Sequence, residues 1–401
     1  MAETNEKQCY RLPPCPDYDI EGTESWLSDM AASGLHLSRD GFFAGFAIFN
    51  KETPRAMRYR LDAAPKKAGL FAEGAEPDEE AVSLSAASGW DYVTARGQFL
   101  IYRTSDPEAP ELHTDPQVQA LAINQIRRRE RGSVVTSFLW LFLYPLLWVR
   151  GEWLLTMLNV GTWFILYSVL LVTWLFAGTV ARAIHFRRLR GRLSRGEPLN
   201  HRKGWRKTAP RHRAGGFVLL ACCLVWLGIF LRLWSDDLTD VGKTPLDAYT
   251  GDPPFATMAD FAPGGDYALN DFGISNTVEI RRDWLAPTVI HWGETATLTL
   301  PDGRTVSGGL YVDYYETASP WLAREVAREY LRSARRGKHY EALSLPSLDV
   351  DYAAAYLDGL HFPTLLLQHG DRVLKAQFYQ TSPDFEISLA EWTQIMAASI
   401  R

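Results

Sequence analysis

Positively charged side chains are concentrated in one short part of the chain, where they could bind phosphate groups. Residues 127–234 carry 18 Lys and Arg against 3 Asp and Glu, whereas residues 1–126 and 235–401 carry net charges of −9 and −11. We call the densest part, residues 187–207, the basic segment. It holds the eight cations that we predict to contact anionic lipid headgroups: Arg187, Arg188, Arg190, Arg192, Arg202, Lys203, Arg206 and Lys207.

The basic segment has two other interpretations. It could bind nucleic acid, or it could serve only as a charge signal that sets membrane topology. We expect no direct nucleic acid binding, because the segment lies between two apolar stretches and reaches lipid more easily than DNA.

Other residues that could do chemistry are isolated from suitable partners. Asp349 and Asp351 would lie on one face of a strand, but no third metal ligand is near them. His361 and His369 lack the spacing of a helical zinc site, and Cys9 and Cys15 lack the usual spacing of zinc ligands. No nucleophile elbow or Ser-x-x-Lys motif occurs. We therefore predict a non-enzymatic protein with no catalytic residues, no metal site and no cofactor; an unrecognised enzyme is the third alternative.

Three apolar stretches predict membrane-spanning helices on either side of this charge. They are Val134–Val149, Trp153–Ala183 and Gly216–Trp234, and a helix needs about 20 apolar residues to cross the hydrocarbon core. We place the spans at residues 133–150, 152–183 and 214–234, with a basic cytoplasmic loop at 184–213. The first stretch is near the short limit, so a re-entrant segment is the alternative there. The stretches contain no Asp, Glu or Lys, which argues against a transporter or pump.

The charge distribution predicts the orientation. Arginine and lysine precede the first stretch and fill the loop between the second and third, and such residues favour the cytoplasmic side. We therefore expect a multi-pass membrane protein whose amino terminus lies in the cytoplasm and whose residues 235–401 lie outside.

The amino-terminal region, residues 1–110, repeats its own pattern. Tyr10-Arg11-Leu12 recurs as Tyr59-Arg60-Leu61, and Ala31-Ala32-Ser33-Gly34 recurs as Ala86-Ala87-Ser88-Gly89. Helices over Glu24–Ala32 and Asp78–Ala87 would each end at a glycine suited to a left-handed cap. The pattern predicts a strand–helix–strand–strand unit present twice, an α+β fold with a mostly antiparallel sheet. A linker helix at 111–132, capped by Asp115, would lead into the membrane.

These motifs carry a family resemblance. Glu24-Ser25-Trp26-Leu27, Met30–Leu37, Tyr59-Arg60-Leu61-Asp62 and Ser88–Val93 resemble, in this order, the bacterial "domain of unknown function 2812" family over residues 10–105. Leu35 stands where the family usually has tryptophan or another bulky residue. The resemblance implies a domain carried ahead of membrane helices in a bacterial cell membrane. It also implies a functional link to a PadR-type transcriptional regulator, and it transfers no catalytic residue.

The carboxy-terminal region predicts a second α+β domain. Residues 235–265 are rich in Pro, Gly and Asp and indicate an extended stalk, and residues 266–401 alternate strand and helix patterns. A hairpin turns at Pro301-Asp302-Gly303, and helices begin at Pro320 and after Ser388. An additional strand is predicted over Asp349–Tyr356.

This organisation favours a sensing or signalling module that links an outer domain to a cytoplasmic interaction domain with an unknown protein partner. The alternative is a structural or accessory subunit of a membrane complex. A soluble partner that depends on the cytoplasmic domain would favour the first, and membrane partners alone would favour the second.

Overall fold

The amino-terminal region forms the predicted strand–helix–strand–strand unit twice. The computed structural model describes residues 8–64, 77–112, 115–149, 151–239, 242–270, 276–337, 339–359, 361–381 and 386–400. The first repeat contains β1 (Gln8–Arg11), α1 (Ile20–Ala32), β2 (Leu35–Phe43) and β3 (Phe46–Lys51). The second contains β4 (Arg58–Ala63), α2 (Glu79–Ala87), β5 (Asp91–Arg96) and β6 (Phe99–Thr104). Each repeat forms its own antiparallel sheet with the last strand in the middle, in the orders β1-β3-β2 and β4-β6-β5.

Local signals explain where these elements begin and end. The Asp19 side chain accepts from the Gly22 amide and starts α1 four residues earlier than expected. Gly34 and Gly89 follow the two helices with φ of 81° and 82°, the left-handed conformation that the repeated motif predicts. The chain turns at Ala44-Gly45, so β2 ends at Phe43 and β3 begins at Phe46.

One core holds the two repeats together. Trp26 of α1 meets Phe49 of β3 edge to face at 5.5 Å between ring centroids, and Tyr59 of β4 is fully buried in the same cluster. Phe43 and Phe46 are 68% and 41% exposed and lie outside this core, because they are at a hairpin tip. Two later helices complete this core, as described below.

Five helices follow in the middle of the chain. They are α3 (Pro116–Phe138), α4 (Tyr144–Val149), α5 (Trp153–Val160), α6 (Thr162–Ser194) and α7 (Ala209–Thr239), with a π-helical turn, Leu139–Leu143, between α3 and α4. The Asp115 side chain caps α3 by accepting from the Gln117 amide at 2.7 Å, as predicted.

The expectation of three separate spanning helices is wrong for the described residues. Only α6 and α7 are long and apolar enough to cross a membrane, with mean hydropathies of 2.0 and 2.4 in their most apolar parts. The first stretch is divided among α3, the π-helical turn and α4, and Arg150 at its end lies outside the described residues. The second is interrupted at Gly161, whose φ of 103° ends α5, so α6 begins at Thr162 and continues into the basic segment.

The carboxy-terminal region is built on a nine-stranded antiparallel sheet. Its strands are β7 (Thr244–Pro245), β8 (Asp266–Leu269), β9 (Thr277–Arg281), β10 (Thr288–Thr299), β11 (Thr305–Glu316), β12 (Glu341–Leu343), β13 (Tyr352–Leu357), β14 (Pro363–His369) and β15 (Arg372–Thr381). The order is β12-β13-β14-β15-β11-β10-β9-β7, and β8 also pairs with β10. The helices α8 (Pro320–Arg336) and α9 (Leu389–Ser399) agree with the sequence prediction to within one residue.

Both faces of this sheet are covered. Leu365 and Leu367 of β14 pack in the cluster that contains α9, while Leu366 between them packs in the cluster that contains α8. All three are fully buried, because alternate side chains of a strand point to opposite faces. The run of three leucines is therefore a strand covered on both sides.

The predicted stalk is in part a piece of this core. Phe255, Met258 and Phe261 are buried against the sheet, and Met258–Phe261 forms a short 3₁₀ turn. Their apolar side chains outweigh the Pro- and Gly-rich character on which we based the prediction.

The chain divides into two compact units. One comprises residues 1–143 and 171–225, and the other comprises residues 144–170 and 226–401. Helix α6 begins in the second unit and ends in the first.

Candidate functional site: the acidic face of α1 and the basic segment

Helix α1 and its cap carry four carboxylates, two of them buried. Glu21 and Glu24 are 7% and 1% exposed, whereas Asp19 and Asp29 lie nearer the two ends. Residues three, four, seven or eight apart lie close together on a helix surface, so most of these groups face the same way. A buried carboxylate is costly unless it is paired or hydrogen-bonded, and the basic segment supplies much of the pairing.

The first turn of α1 and its cap contact the end of α6 and the non-helical residues that follow it. The Glu21 carboxylate accepts from Arg192 at 3.1 Å and from the Asn200 amide at 2.9 Å. Lys203 donates to Asp19 at 2.8 Å and lies 3.8 Å from Glu21. Negative charge near the amino-terminal end of a helix also interacts favourably with the helix dipole. Asp19 and Glu21 therefore both bind the basic segment and stabilise the amino-terminal end of α1.

Glu24 joins three parts of the unit. One oxygen accepts from the Leu61 amide of β4 at 2.8 Å, and the other lies 2.5 Å from Nδ1 of His201. The carboxylate is almost completely buried, whereas the His201 side chain is 29% exposed. This one side chain therefore connects a helix of the first repeat, a strand of the second repeat and the basic segment.

The far end of α1 makes a more exposed contact. Asp29 accepts from Nε1 of Trp205 at 3.0 Å and from Arg206 at 3.4 Å. The guanidinium of Arg206 also lies over the Trp205 ring, 5.6 Å from its centroid. Because Arg206 is 77% exposed, we assign little stability to its ion pair.

Apolar contacts reinforce the same attachment. Phe186, Leu189 and Leu193 of α6 are buried in the core that both repeats share, and the Phe186 and Phe99 rings lie 6.1 Å apart. Ile123 and Ile126 of α3 join that core as well. The end of α6 is thus an integral part of the amino-terminal domain.

The structure divides the eight predicted lipid-contact residues into two groups. Arg192, Lys203 and Arg206 form ion pairs with carboxylates of α1, a partnership that the sequence analysis did not anticipate. The other five form no ion pair with these carboxylates in the described part of the chain. Arg187, Arg188, Arg202 and Lys207 are exposed, and Arg190 is half-buried. Lipid contact stays a prediction. The opposite net charges of residues 1–126 and 127–234 are the feature of the sequence that could have predicted these ion pairs with α1.

A buried arginine also contacts the first turn of α1 and the chain that precedes it. Arg96 donates to Oγ1 of Thr23 at 3.0 Å and to the carbonyl oxygen of Cys15 at 2.8 Å. Burial lowers the pKa of Arg96 and raises the pKa of the Cys15 thiol to about 11. At neutral pH this thiol is therefore protonated and unreactive, which fits a structural role.

A cleft opens beside the Asp29 contact. Its volume is about 850 Å³, and its walls are α1, the start of β4 and residues 201–207 of the basic segment. Arg58 and Arg60 of β4 both donate to the Glu111 carboxylate there. Burial raises the pKa of Glu111, but hydrogen bonds and charges from Arg60 and Arg58 outweigh it and bring the value to about 2.

The second unit has its own half-buried polar cluster. Asp313 of β11 accepts from Nδ1 of His291 at 2.8 Å and from Lys375 at 3.1 Å. Burial raises the pKa of Asp313, but the hydrogen bond from His291 and the charge of Lys375 outweigh it and lower the value to about 2. Tyr330 donates to Tyr315 or accepts from it at 2.9 Å beside this pair.

Carboxylates of the same unit cap two helices. The Glu329 side chain of α8 accepts from the Leu154 and Leu155 amides, at 3.0 and 3.1 Å, at the start of α5. Asp283 accepts from the Thr162 amide at 2.8 Å and from its hydroxyl at 2.7 Å, at the start of α6. These bonds satisfy amides that have no partner within their own helices.

The other sequence candidates have structural roles. Asp351 precedes β13, which begins at Tyr352 and not at Asp349 as expected, and its carboxylate accepts from the Gly370 amide at 2.7 Å. His361 has a positive φ of 64°, and its ring lies 5.3 Å from that of His339. Among the described residues, no group of three or more His, Cys, Asp or Glu could hold a metal ion.

The chain therefore combines a duplicated α+β domain with two later helices that are long enough to span a membrane. Residues 19–135 match the family described as "Protein of unknown function (DUF2812)", which confirms the family resemblance for this part of the chain. No curated protein and no solved structure matches the chain.

Proposed function

We propose that this protein is a membrane-anchored signalling module in which α6 couples an outer domain to a cytoplasmic interaction domain. The observation that supports it is that each end of α6 is held by a folded domain. Asp283 caps the first turn, and Phe186, Leu189 and Leu193 pack into the amino-terminal core. A change in the outer domain that shifts α6 would therefore act directly on the cytoplasmic core.

The same contacts support a multi-pass topology with the amino terminus inside. The basic segment is anchored on α1, so it and the amino-terminal domain share one side of the membrane. The start of α6 belongs with residues 226–401, which in this proposal lie outside. If α6 and α7 cross, the chain between α3 and α6 must cross as well.

Topology is tested with a membrane-impermeant thiol reagent on intact cells. In a background with Cys9, Cys15, Cys222 and Cys223 replaced by serine, Ser194→Cys and Asp302→Cys each place one exposed thiol in a different unit. We expect Asp302→Cys to react in intact cells and Ser194→Cys to react only after permeabilisation. The reverse pattern would disprove the orientation.

Coupling is tested by in-cell cross-linking and mass spectrometry. We expect a soluble partner that is lost when residues 1–110 are removed, and whose yield changes in Asp283→Asn but not in Asp302→Asn. Asp302 is the matched control, because it lies in the exposed turn between β10 and β11. Partners that are all membrane proteins and unaffected by these changes would instead support an accessory subunit of a membrane complex.

A further inference from the structure

The cleft beside α1 has a surplus of positive charge. Five cationic side chains line it against the two carboxylates of Asp29 and Glu111: Arg58, Arg60, Arg202, Arg206 and Lys207. Three of these cations already have partners, since Arg58 and Arg60 bind Glu111 and Arg206 binds Asp29. Among the described residues, no carboxylate lies within ion-pair distance of Arg202 or Lys207, and both are exposed.

The arrangement of donors in the cleft is suited to an anion with several oxygens. Arginine presents a planar fork of N–H groups to phosphate, and lysine adds a compact charge. Ser25 of α1 adds a hydroxyl to the same wall. The volume of about 850 Å³ falls within the range of small-molecule sites.

The partners already present leave room for such a ligand. The Asp29–Arg206 pair is exposed on both sides and 3.4 Å long, so an incoming anion could replace Asp29 on Arg206 at little cost. The Trp205 indole hydrogen bond to Asp29 would still hold that wall of the cleft in place. By contrast, Arg58 and Arg60 are only 26% and 13% exposed and are fixed by Glu111.

We propose that this cleft binds a phosphate-bearing small molecule through Arg202, Arg206 and Lys207, with Arg58 and Arg60 supplying additional positive potential. A net surplus of three positive charges matches a multiply charged phosphate better than a single carboxylate. The ligand is either a soluble phosphate compound or the headgroup of an anionic lipid. This inference concerns the first unit alone and does not depend on the proposed signalling function.

The experiment uses the full-length protein in phosphatidylcholine nanodiscs, with inorganic pyrophosphate as the probe. We expect saturable one-to-one binding by calorimetry and slower hydrogen exchange of residues 201–207. The double variant Arg202→Gln/Lys207→Gln should weaken binding at least about tenfold, the effect of losing charged hydrogen bonds. The matched control Arg128→Gln/Arg131→Gln removes two exposed cations of α3 outside the cleft and should leave affinity within about twofold.

A second arm distinguishes the two sources. Nanodiscs that contain phosphatidylglycerol, without pyrophosphate, should slow exchange at residues 201–207 if the ligand is a lipid headgroup, and the cleft variant should abolish that effect. Protection by pyrophosphate but not by phosphatidylglycerol identifies a soluble ligand. Absence of both effects, or an equal loss in the cleft and control variants, would overturn the proposal.

Discussion

At the scale of single residues, Glu24 is the side chain on which most of the amino-terminal site depends. Its carboxylate is 1% exposed and accepts from the Leu61 amide, and it also contacts His201. Sequence analysis placed this residue in α1 but could not choose its partners, because one of them is 37 residues away and the other 177. Local patterns contain no information about contacts at such separations.

Glu24→Gln should destabilise the first unit. Glutamine keeps only one acceptor oxygen, so either the Leu61 amide or His201 loses its partner at this buried position, and we expect a loss of about 1–3 kcal/mol in the free energy of unfolding. In a background with Cys9, Cys222 and Cys223 replaced by serine, the buried thiol of Cys15 reports this opening. Glu24→Gln should raise the alkylation rate of that thiol. Glu79→Gln, an exposed carboxylate of α2, is the control and should not change the rate. Equal rates in both variants would show that the pair contributes nothing.

Glu111 should make the first unit sensitive to acid. Its pKa is lowered from 4.5 to about 2, so its stabilisation is fully present above about pH 4.5 and is lost as the pH falls toward 2. The side chain is 38% exposed, and solvent screening makes the effect modest. In Glu111→Gln the free energy of unfolding, measured by denaturant titration, should depend less steeply on pH between 4.5 and 2, while stability at neutral pH is lower. An unchanged slope would contradict the assignment.

At the scale of elements, the boundary between α5 and α6 decides how the second apolar stretch folds. Gly161 has a φ of 103°, which side-chain-bearing residues rarely adopt, and a Cβ there would meet no atom within 4 Å. The apolar composition alone predicts one long helix, because nothing in hydropathy distinguishes a glycine that ends a helix from one inside it. Gly178, within α6, shows the second case.

Gly161→Ala should destabilise the second unit by about 1–2 kcal/mol, because only backbone strain changes at this open position. Gly178→Ala is the matched control and should be neutral or stabilising by up to about 1 kcal/mol, since alanine is the better helix former. Hydrogen exchange of α5 in nanodiscs measures the effect, with faster exchange expected only for Gly161→Ala. A similar response in the two variants would show that the helix break is not set by this residue.

At the scale of the whole molecule, two units with separate cores should unfold in separate steps. Thr393 of α9 is fully buried in the second unit, and Thr393→Cys gives that unit a thiol reporter of similar size to match Cys15 in the first. Glu24→Gln should accelerate alkylation of Cys15 alone. Asp313→Asn, which removes the partner of His291 and Lys375, should accelerate alkylation at position 393 alone. Equal acceleration of both thiols by either variant would instead indicate one cooperative unit.

The sequence by itself determined the local architecture. The repeated Tyr-Arg-Leu and Ala-Ala-Ser-Gly motifs, the helix caps and the hairpin turns predicted two copies of one unit and most of the second domain. Such signals act between residues close in sequence, through backbone conformation, capping and side-chain periodicity. The apolar stretches likewise identified α6 and α7 as helices long enough to span a membrane.

Only the tertiary structure decided what the charged residues contact and where the long helices are interrupted. Arg192 and Lys203 could face lipid or protein according to their sequence, and packing of Phe186, Leu189 and Leu193 into the domain brings them to Asp19 and Glu21. The same packing assembles the cleft from α1, β4 and the basic segment, which are far apart in the chain. Electrostatic partners are chosen by distance in space, and distance is fixed only after the cores have formed.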